Sequence, residues 1–314
     1  MANAAPHRID VHHHLSPPGY IADLDPKGVR LSRETRGWSP AQSIELMDEG
    51  GVRVALTSIT TPGLWFGDAV AARKLARVCN DYAAKLRIDH PKRFGMFVNL
   101  PMPDIEGSLK EIEYGLDELK ADGIVVFTSY GDKWLGDPAF DPVFEELNRR
   151  KARVYVHPCT PDCCKNINLV EINDSMIEYG TDTTRAIAQM TYSGRSARFS
   201  DIRLIWSHGG GTMPMLIARM IGMARAPQYA KAMPNGFLHE ARRFYYDTAA
   251  IFAAAPLHAL RHVVPVENIV FGTDVPWGNP ANIAKEVAAS GVFDAGELRK
   301  IDRDNALGLF PQYA

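Results

Sequence analysis

The chain has 314 residues, 46% of them hydrophobic and 23% charged, with a formal net charge of −2. That is apolar material for one large α/β core, while the near-zero charge excludes a basic nucleic-acid footprint and a polybasic membrane anchor. No run of about 18 apolar residues exists to span a bilayer, and the short polar start, residues 1–9, lacks the apolar region of a signal peptide.

Short β-branched runs alternate with helix-length segments from end to end. Strands are predicted over Arg8–His12, Val52–Thr60, Phe94–Leu100, Gly123–Thr128, Arg153–His157, Ile202–His208, Phe244–Thr248 and Ile269–Asp274. Most show little polar alternation, as parallel strands buried on both faces do. Helices are predicted over Asp68–His90, Ile105–Ala121, Pro138–Lys151, Asp182–Arg198, Thr212–Arg225, Pro256–Val264 and Pro280–Ser290. Pro91 stops the first of these. With no second composition regime, the alternation predicts a single closed (β/α)8 barrel over residues 1–314.

Two connections are too long for simple strand-to-helix loops. They run from about 13 to 38 after strand one, and from about 158 to 180 after strand five. Such loops sit at the C-terminal face of a barrel, where barrel enzymes keep their chemistry. The tail with Asp304, Asn305, Leu307, Leu309 and Phe310 reads as a last helix closing the barrel bottom.

Ligand-capable side chains fall at the C-terminal ends of the predicted strands. His12 and His14 end strand one, His157 strand five, His208 strand six and Asp274 strand eight. In an extended chain, residues i and i+2 project to one side, so His12 and His14 can grip one ion while His13 points away. A third imidazole and a carboxylate from across the barrel complete an N3O set, which suits zinc and tolerates manganese or iron. Taken singly, a histidine at a strand end is more often a hydrogen-bonded core residue. The joint occurrence at four strand ends favours one catalytic divalent metal with a position left open.

The segments Ile9-Asp10-Val11-His12-His13-His14, Val156-His157-Pro158, Ser207-His208-Gly209-Gly210-Gly211 and Gly272-Thr273-Asp274-Val275-Pro276-Trp277 together resemble the amidohydrolase superfamily. More narrowly, they resemble its aminocarboxymuconate-semialdehyde decarboxylase-like branch, with decarboxylases of resorcylate, carboxyvanillate and 6-methylsalicylate. Glu118-Leu119-Lys120-Ala121-Asp122-Gly123 and Leu135-Gly136-Asp137-Pro138-Ala139-Phe140 are most similar to the 6-methylsalicylate decarboxylase subgroup.

The resemblance implies that His12, His14, His157 and Asp274 are the metal ligands and His208 an unligated acid–base residue. It implies that Arg219 binds substrate carboxylate, reaching into the neighbouring subunit of a homodimer, with a solvated helix arginine as the alternative reading. Pro227 stands where the semialdehyde decarboxylase has a second arginine, which argues against a muconate dicarboxylate. One of Arg30, Arg33 and Arg36 falls where the branch places another carboxylate-binding arginine. Binuclear members bridge their metals with a lysine ending strand four. Here that strand ends Val125-Val126-Phe127-Thr128-Ser129, with Lys133 further on, so one metal is implied.

The expected activity is non-oxidative decarboxylation of a small ortho-hydroxy aromatic carboxylic acid. Asp274 would protonate the ring carbon and His208 would orient the departing carboxylate. Trp65, Phe127, Tyr130 and Trp277 are candidates to pack the ring, each with core or rim packing as its alternative. Hydrolysis of a lactone, ester or amide shares the same ligands, and a catalytically inactive barrel acting as a binding protein is a third reading. Four cysteines (Cys79, Cys159, Cys163 and Cys164) are too few for a disulfide framework and lack Cys-x2-Cys spacing. They are expected to be free thiols in a reducing cytoplasm.

Overall fold

The computed structural model describes residues 7–164 and 172–314. The barrel strands are β1 (Arg8–His14), β2 (Val52–Ser58), β3 (Phe94–Asn99), β4 (Gly123–Phe127), β5 (Arg153–His157), β6 (Arg203–Trp206), β7 (Tyr245–Asp247) and β8 (Ile269–Val270). Neighbours in sequence pair in parallel all the way round. The ring closes where the segment after β8 bonds back to β1. Val11 N–H donates to Phe271 O at 3.0 Å, Asp274 N–H to His12 O at 2.8 Å and His14 N–H to Val275 O at 2.8 Å.

Each strand is followed by a helix: α1 (Pro40–Glu49), α2 (Ala69–Asp89), α3 (Ile105–Glu113), α4 (Asp141–Arg149), α5 (Glu178–Tyr192), α6 (Met213–Ala224), α7 (Ala254–Val263) and α8 (Pro280–Ala289). Because both strand faces are covered, alternate residues serve two cores. Leu56, Phe97, Val125, Tyr155, Ile205 and Val270 fill the barrel interior. Ala55, Val98, Val126, Val156 and Trp206 pack outward into the layer shared with the helices. The tail helix Asn305–Leu309 brings Ala306, Leu309 and Phe310 into the interior cluster, plugging the barrel bottom as expected. None of the described helices is long and apolar enough to cross a membrane.

The differences from the sequence reading have local causes. Helix α1 was missed, although Ser39 caps it, accepting from Gln42 N–H at 3.2 Å, and Pro40 starts it. The loop before it carries short helices at Pro18–Leu24 and Arg33–Gly37. Helix α3 ends at Glu113 and continues as a wide π-type turn over Tyr114–Glu118, where Gly115 lies so close to Val98 that a β-carbon would meet it at 2.3 Å. Helix α5 begins before Asp182 and stops at Tyr192, because Gly194 turns the chain with φ +79°. Strands β6 and β8 are shorter than expected, since the chain leaves them toward two residues of positive φ, His208 and Asp274. The centre of the predicted 158–180 loop lies outside the described residues; its flanks carry single turns at Asp162–Cys164 and Asp174–Met176.

Candidate metal centre

Strand β1 changes its facing partway along. Ile9 and Val11 point into the barrel, and strict alternation would carry His13 inward with them. The pairing of β1 with β2 shifts register between Asp10 and His13. That irregularity resets the parity, turning His12 and His14 into the barrel mouth. His13 faces the helix layer, where its ring bonds Asp10 (Nδ1 to Oδ2, 3.1 Å) and Ser43 of α1 (Nε2 to Oγ, 2.9 Å).

All five strand-end residues converge. The ligand atoms of His12, His157, His208 and Asp274 lie within 4.8 Å of one another. His14 joins them, its Nε2 being 3.0 Å from His12 Nε2 and 3.1 Å from Asp274 Oδ1. His12 Nε2 is 3.3 Å from the same oxygen, and His208 Nε2 is 3.4 Å from Asp274 Oδ2. Those four thus include His208, which the resemblance implies is unligated, and leave out His14, which it implies is a ligand.

The outer hydrogen bonds settle which ring nitrogens are free. His12 Nδ1 faces Asp247 Oδ2 at 2.9 Å, His14 Nδ1 faces Ser58 O at 3.3 Å, and His157 Nδ1 faces Pro158 O at 2.8 Å. Each partner is an acceptor, so each Nδ1 carries the hydrogen and each Nε2 presents a lone pair. Three lone pairs and a carboxylate aimed at one buried spot repel one another unless a cation lies between them. The donor set therefore fits a divalent metal.

Electrostatics point the same way. Burial works against a charge on His12, but Asp274 and Asp247 outweigh it and raise the imidazole to about 10. Burial also opposes ionisation of Asp274, yet His12, which carries a proton when no cation is present, and the neighbouring His14 and His208 rings hold its carboxyl well below the usual range. Burial, then the neighbouring imidazoles, pushes His157 well down; burial likewise lowers His14. Without a cation, the negative potential in the cup holds a proton on His12. The two groups nearest the open side, His208 and Asp274, have φ +51° and +61°, a region in which non-glycine side chains are strained. Asp274 keeps 23% of its side chain exposed and His208 11%, so both reach the mouth.

The predicted ring-packing residues divide. Phe127 stands edge-on to His157 at 6.0 Å and Trp277 to His14 at 5.7 Å. Tyr179, which the sequence reading passed over, lies 6.1 Å from His157. Its hydroxyl bonds Thr61 Oγ1 at 2.9 Å, joining the loop after β2 to the first turn of α5. Tyr130 instead packs on Phe140, and its hydroxyl accepts from Phe127 N–H at 2.8 Å. Trp65 makes no ring contact with the cup histidines among the described residues.

Arg30 and Arg33 are exposed, and Arg36 pairs with Asp25 at 2.8 Å on the surface. Arg219 is exposed on α6. Lys133 lies in a small hairpin beyond β4, paired with Asp132 at 3.2 Å. The four cysteines are free, and none joins the metal group among the described residues.

Two further carboxylates organise the cup and went unassigned in the sequence. Asp10 accepts from His12 N–H at 3.0 Å and Thr273 N–H at 3.1 Å, tying β1 to the segment that carries Asp274. Asp247 ends β7. The strand-end rule that picked out the histidines would have found it.

The family model described as amidohydrolase matches residues 9–312. A decarboxylase of Aspergillus niger is 36% identical, over 98% of this chain and 88% of its own length. A 6-methylsalicylic acid decarboxylase of Penicillium expansum is 34% identical, over 97% of this chain and 96% of its own. Among solved structures, a dihydroxybenzoic acid decarboxylase of Polaromonas sp. with bound manganese and the inhibitor 2-nitroresorcinol superposes with a TM-score of 0.82. It is 20% identical and covers 98% of both chains.

Proposed function

Because the chain belongs to the amidohydrolase family, we propose that it is a metal-dependent, non-oxidative decarboxylase of a small ortho-hydroxy aromatic carboxylic acid. The observation that carries this reading is the cup of three imidazole lone pairs and Asp274, in a chain 34–36% identical, nearly end to end, to relatives named decarboxylases. His12, His14, His157 and Asp274 hold one divalent ion. The N3O set suits zinc, with manganese the alternative that the Polaromonas structure supports. When bound, that ion supplies positive charge for the substrate's phenolic and carboxylate oxygens.

The protein's own groups do the rest. Phe127, Tyr179 and Trp277 flank the mouth and exclude water from a flat ring. Asp274 takes up the proton shed by the substrate hydroxyl and delivers it to the ring carbon bearing the carboxylate. The carbon–carbon bond then breaks, its electron pair returns to the ring, and CO2 leaves. His208, 3.4 Å from Asp274, orients the departing carboxylate.

Among the described residues, no arginine pairs with the groups of the cup. Arg219 lies on α6 beside Met215 (75% exposed) and Met223 (55% exposed), a face suited to burial in a homodimer that carries Arg219 to the neighbouring subunit's substrate. Residues 1–314 form one domain, and four free thiols support a reducing, cytoplasmic setting. The test is a panel of hydroxybenzoates with metal-replete protein. CO2 release, and carboxylation of the matching phenol in bicarbonate, are expected; neither occurring with any ortho-hydroxy acid rejects the reading.

A further inference from the structure

The metal ligands and His208 share a carboxylate that belongs to neither. Asp247 is fully buried, and each of its oxygens accepts two hydrogen bonds. Oδ2 receives His12 Nδ1–H and the Tyr155 hydroxyl, both at 2.9 Å. Oδ1 receives the backbone N–H groups of His208 at 2.8 Å and Ala249 at 3.0 Å. These four donors occupy the lone-pair positions of an ionised carboxylate. Among the described residues, the only ion pair it can form is with His12, when that ring is protonated.

We propose that Asp247 is a positioning residue that sets His12 as a metal ligand with one oxygen and pins the strained backbone of His208 with the other. The inference rests on the metal reading above. A carboxylate can only accept, so it forces the hydrogen of His12 onto Nδ1 and leaves Nε2 free for the ion. His208 holds a strained backbone at φ +51°, and the bond from its N–H to Oδ1 pins it there. Ligand strength and placement of the acid–base residue are thereby coupled through a single group.

Asp247→Asn separates the two roles. The two backbone N–H groups keep the amide oxygen on the Oδ1 side, so the amide NH2 faces Tyr155 and His12. The tyrosine hydroxyl can rotate to accept. His12 must move its hydrogen to Nε2, into the position the ion needs. Tyr155→Phe removes a donor to the same oxygen without reversing the hydrogen on His12.

The experiment titrates zinc against a competing chelator in wild-type, Asp247→Asn and Tyr155→Phe proteins. Folding of the metal-free forms is followed by circular dichroism, and imidazole tautomers by 15N NMR of the zinc-loaded wild type. Asp247→Asn is expected to fold and to bind zinc 10- to 100-fold more weakly, with Tyr155→Phe within about threefold of wild type. Zinc affinity of Asp247→Asn within threefold of wild type overturns the proposal. So does a wild-type spectrum with the His12 hydrogen on Nε2, a readout that stands even where Asp247→Asn does not fold. A wild-type protein that binds no zinc or manganese overturns the metal reading itself and takes this inference with it.

Discussion

His12 Nε2 and Asp274 Oδ1 lie 3.3 Å apart across the seam that closes the barrel, although they stand near opposite ends of the chain. The same oxygen is 3.1 Å from His14 Nε2, so one carboxylate atom faces two imidazole lone pairs. Among the described residues, the only groups that can form an ion pair with Asp274 are imidazoles, and only when protonated.

Replacing Asp274 tests both of its assigned roles. Asp274→Asn keeps the shape but removes the charge and the proton-carrying group. CO2 release is expected to fall by at least about 100-fold. Metal analysis of the same protein separates loss of the ion from loss of proton transfer. Retention of activity within a fewfold would contradict the assignment.

Metal uptake should compete with a proton on His12. In metal-free protein that imidazole titrates near 10, above its value of about 6.5 in an unfolded chain. Its contribution to metal-free stability is therefore complete below about pH 6.5 and is lost as pH rises through about 10. Zinc must displace the proton, so apparent affinity should climb about tenfold per pH unit between roughly 7 and 9. Calorimetry in buffers of different ionisation enthalpy would count the proton released, and none released would remove this account.

The triple glycine after β6 is a packing requirement. Gly211 has φ +67°, and a β-carbon there would lie 2.0 Å from Gly180 O at the start of α5. Gly211→Ala should destabilise the protein by about 3 kcal/mol, from backbone strain together with displacement of α5. Gly222→Ala, in open space on α6, is the control and should be neutral or slightly stabilising. Urea denaturation of both variants measures the difference.

Arg219 separates a partner-facing role from a solvated one. Arg219→Ala should change folding stability by no more than about 0.5 kcal/mol, as an exposed substitution does, while raising KM for the aromatic acid at least tenfold. Met215→Lys with Met223→Lys should shift sedimentation from dimer to monomer and reproduce the KM defect. Unchanged kinetics in Arg219→Ala would return that residue to the solvated surface.

Much of the site was legible because barrel geometry makes position along a strand meaningful. Knowing where β1, β5, β6 and the segment after β8 end is enough to place His12, His14, His157, His208 and Asp274 at one mouth. The facing of β1 was harder. The i, i+2 rule pairs His12 with His14, but it cannot tell that pair from His13, which continues the inward series of Ile9 and Val11. A register shift decides it, and pairing register depends on the partner strand. Asp247 ends β7 and was open to the same strand-end rule, whereas Asp10 lies inside β1, where a carboxylate that only accepts hydrogen bonds leaves no spacing signature. Tyr179 was hidden because it adjoins a long loop whose path sequence does not specify.

The seam between β1 and the segment after β8 also bears on how the protein is made. Synthesis delivers the first strand long before the residues that pair with it, leaving its outer edge without a hydrogen-bonding neighbour until nearly the whole chain has emerged. Two histidines ride on that waiting edge and the acid that completes their set arrives last. On the proposed metal reading, an ion captured between them would act as a clasp on the finished ring. Shortening the carboxyl-terminal end would therefore cost more than its few residues suggest, because it takes away the floor of the barrel just as the clasp is due to close.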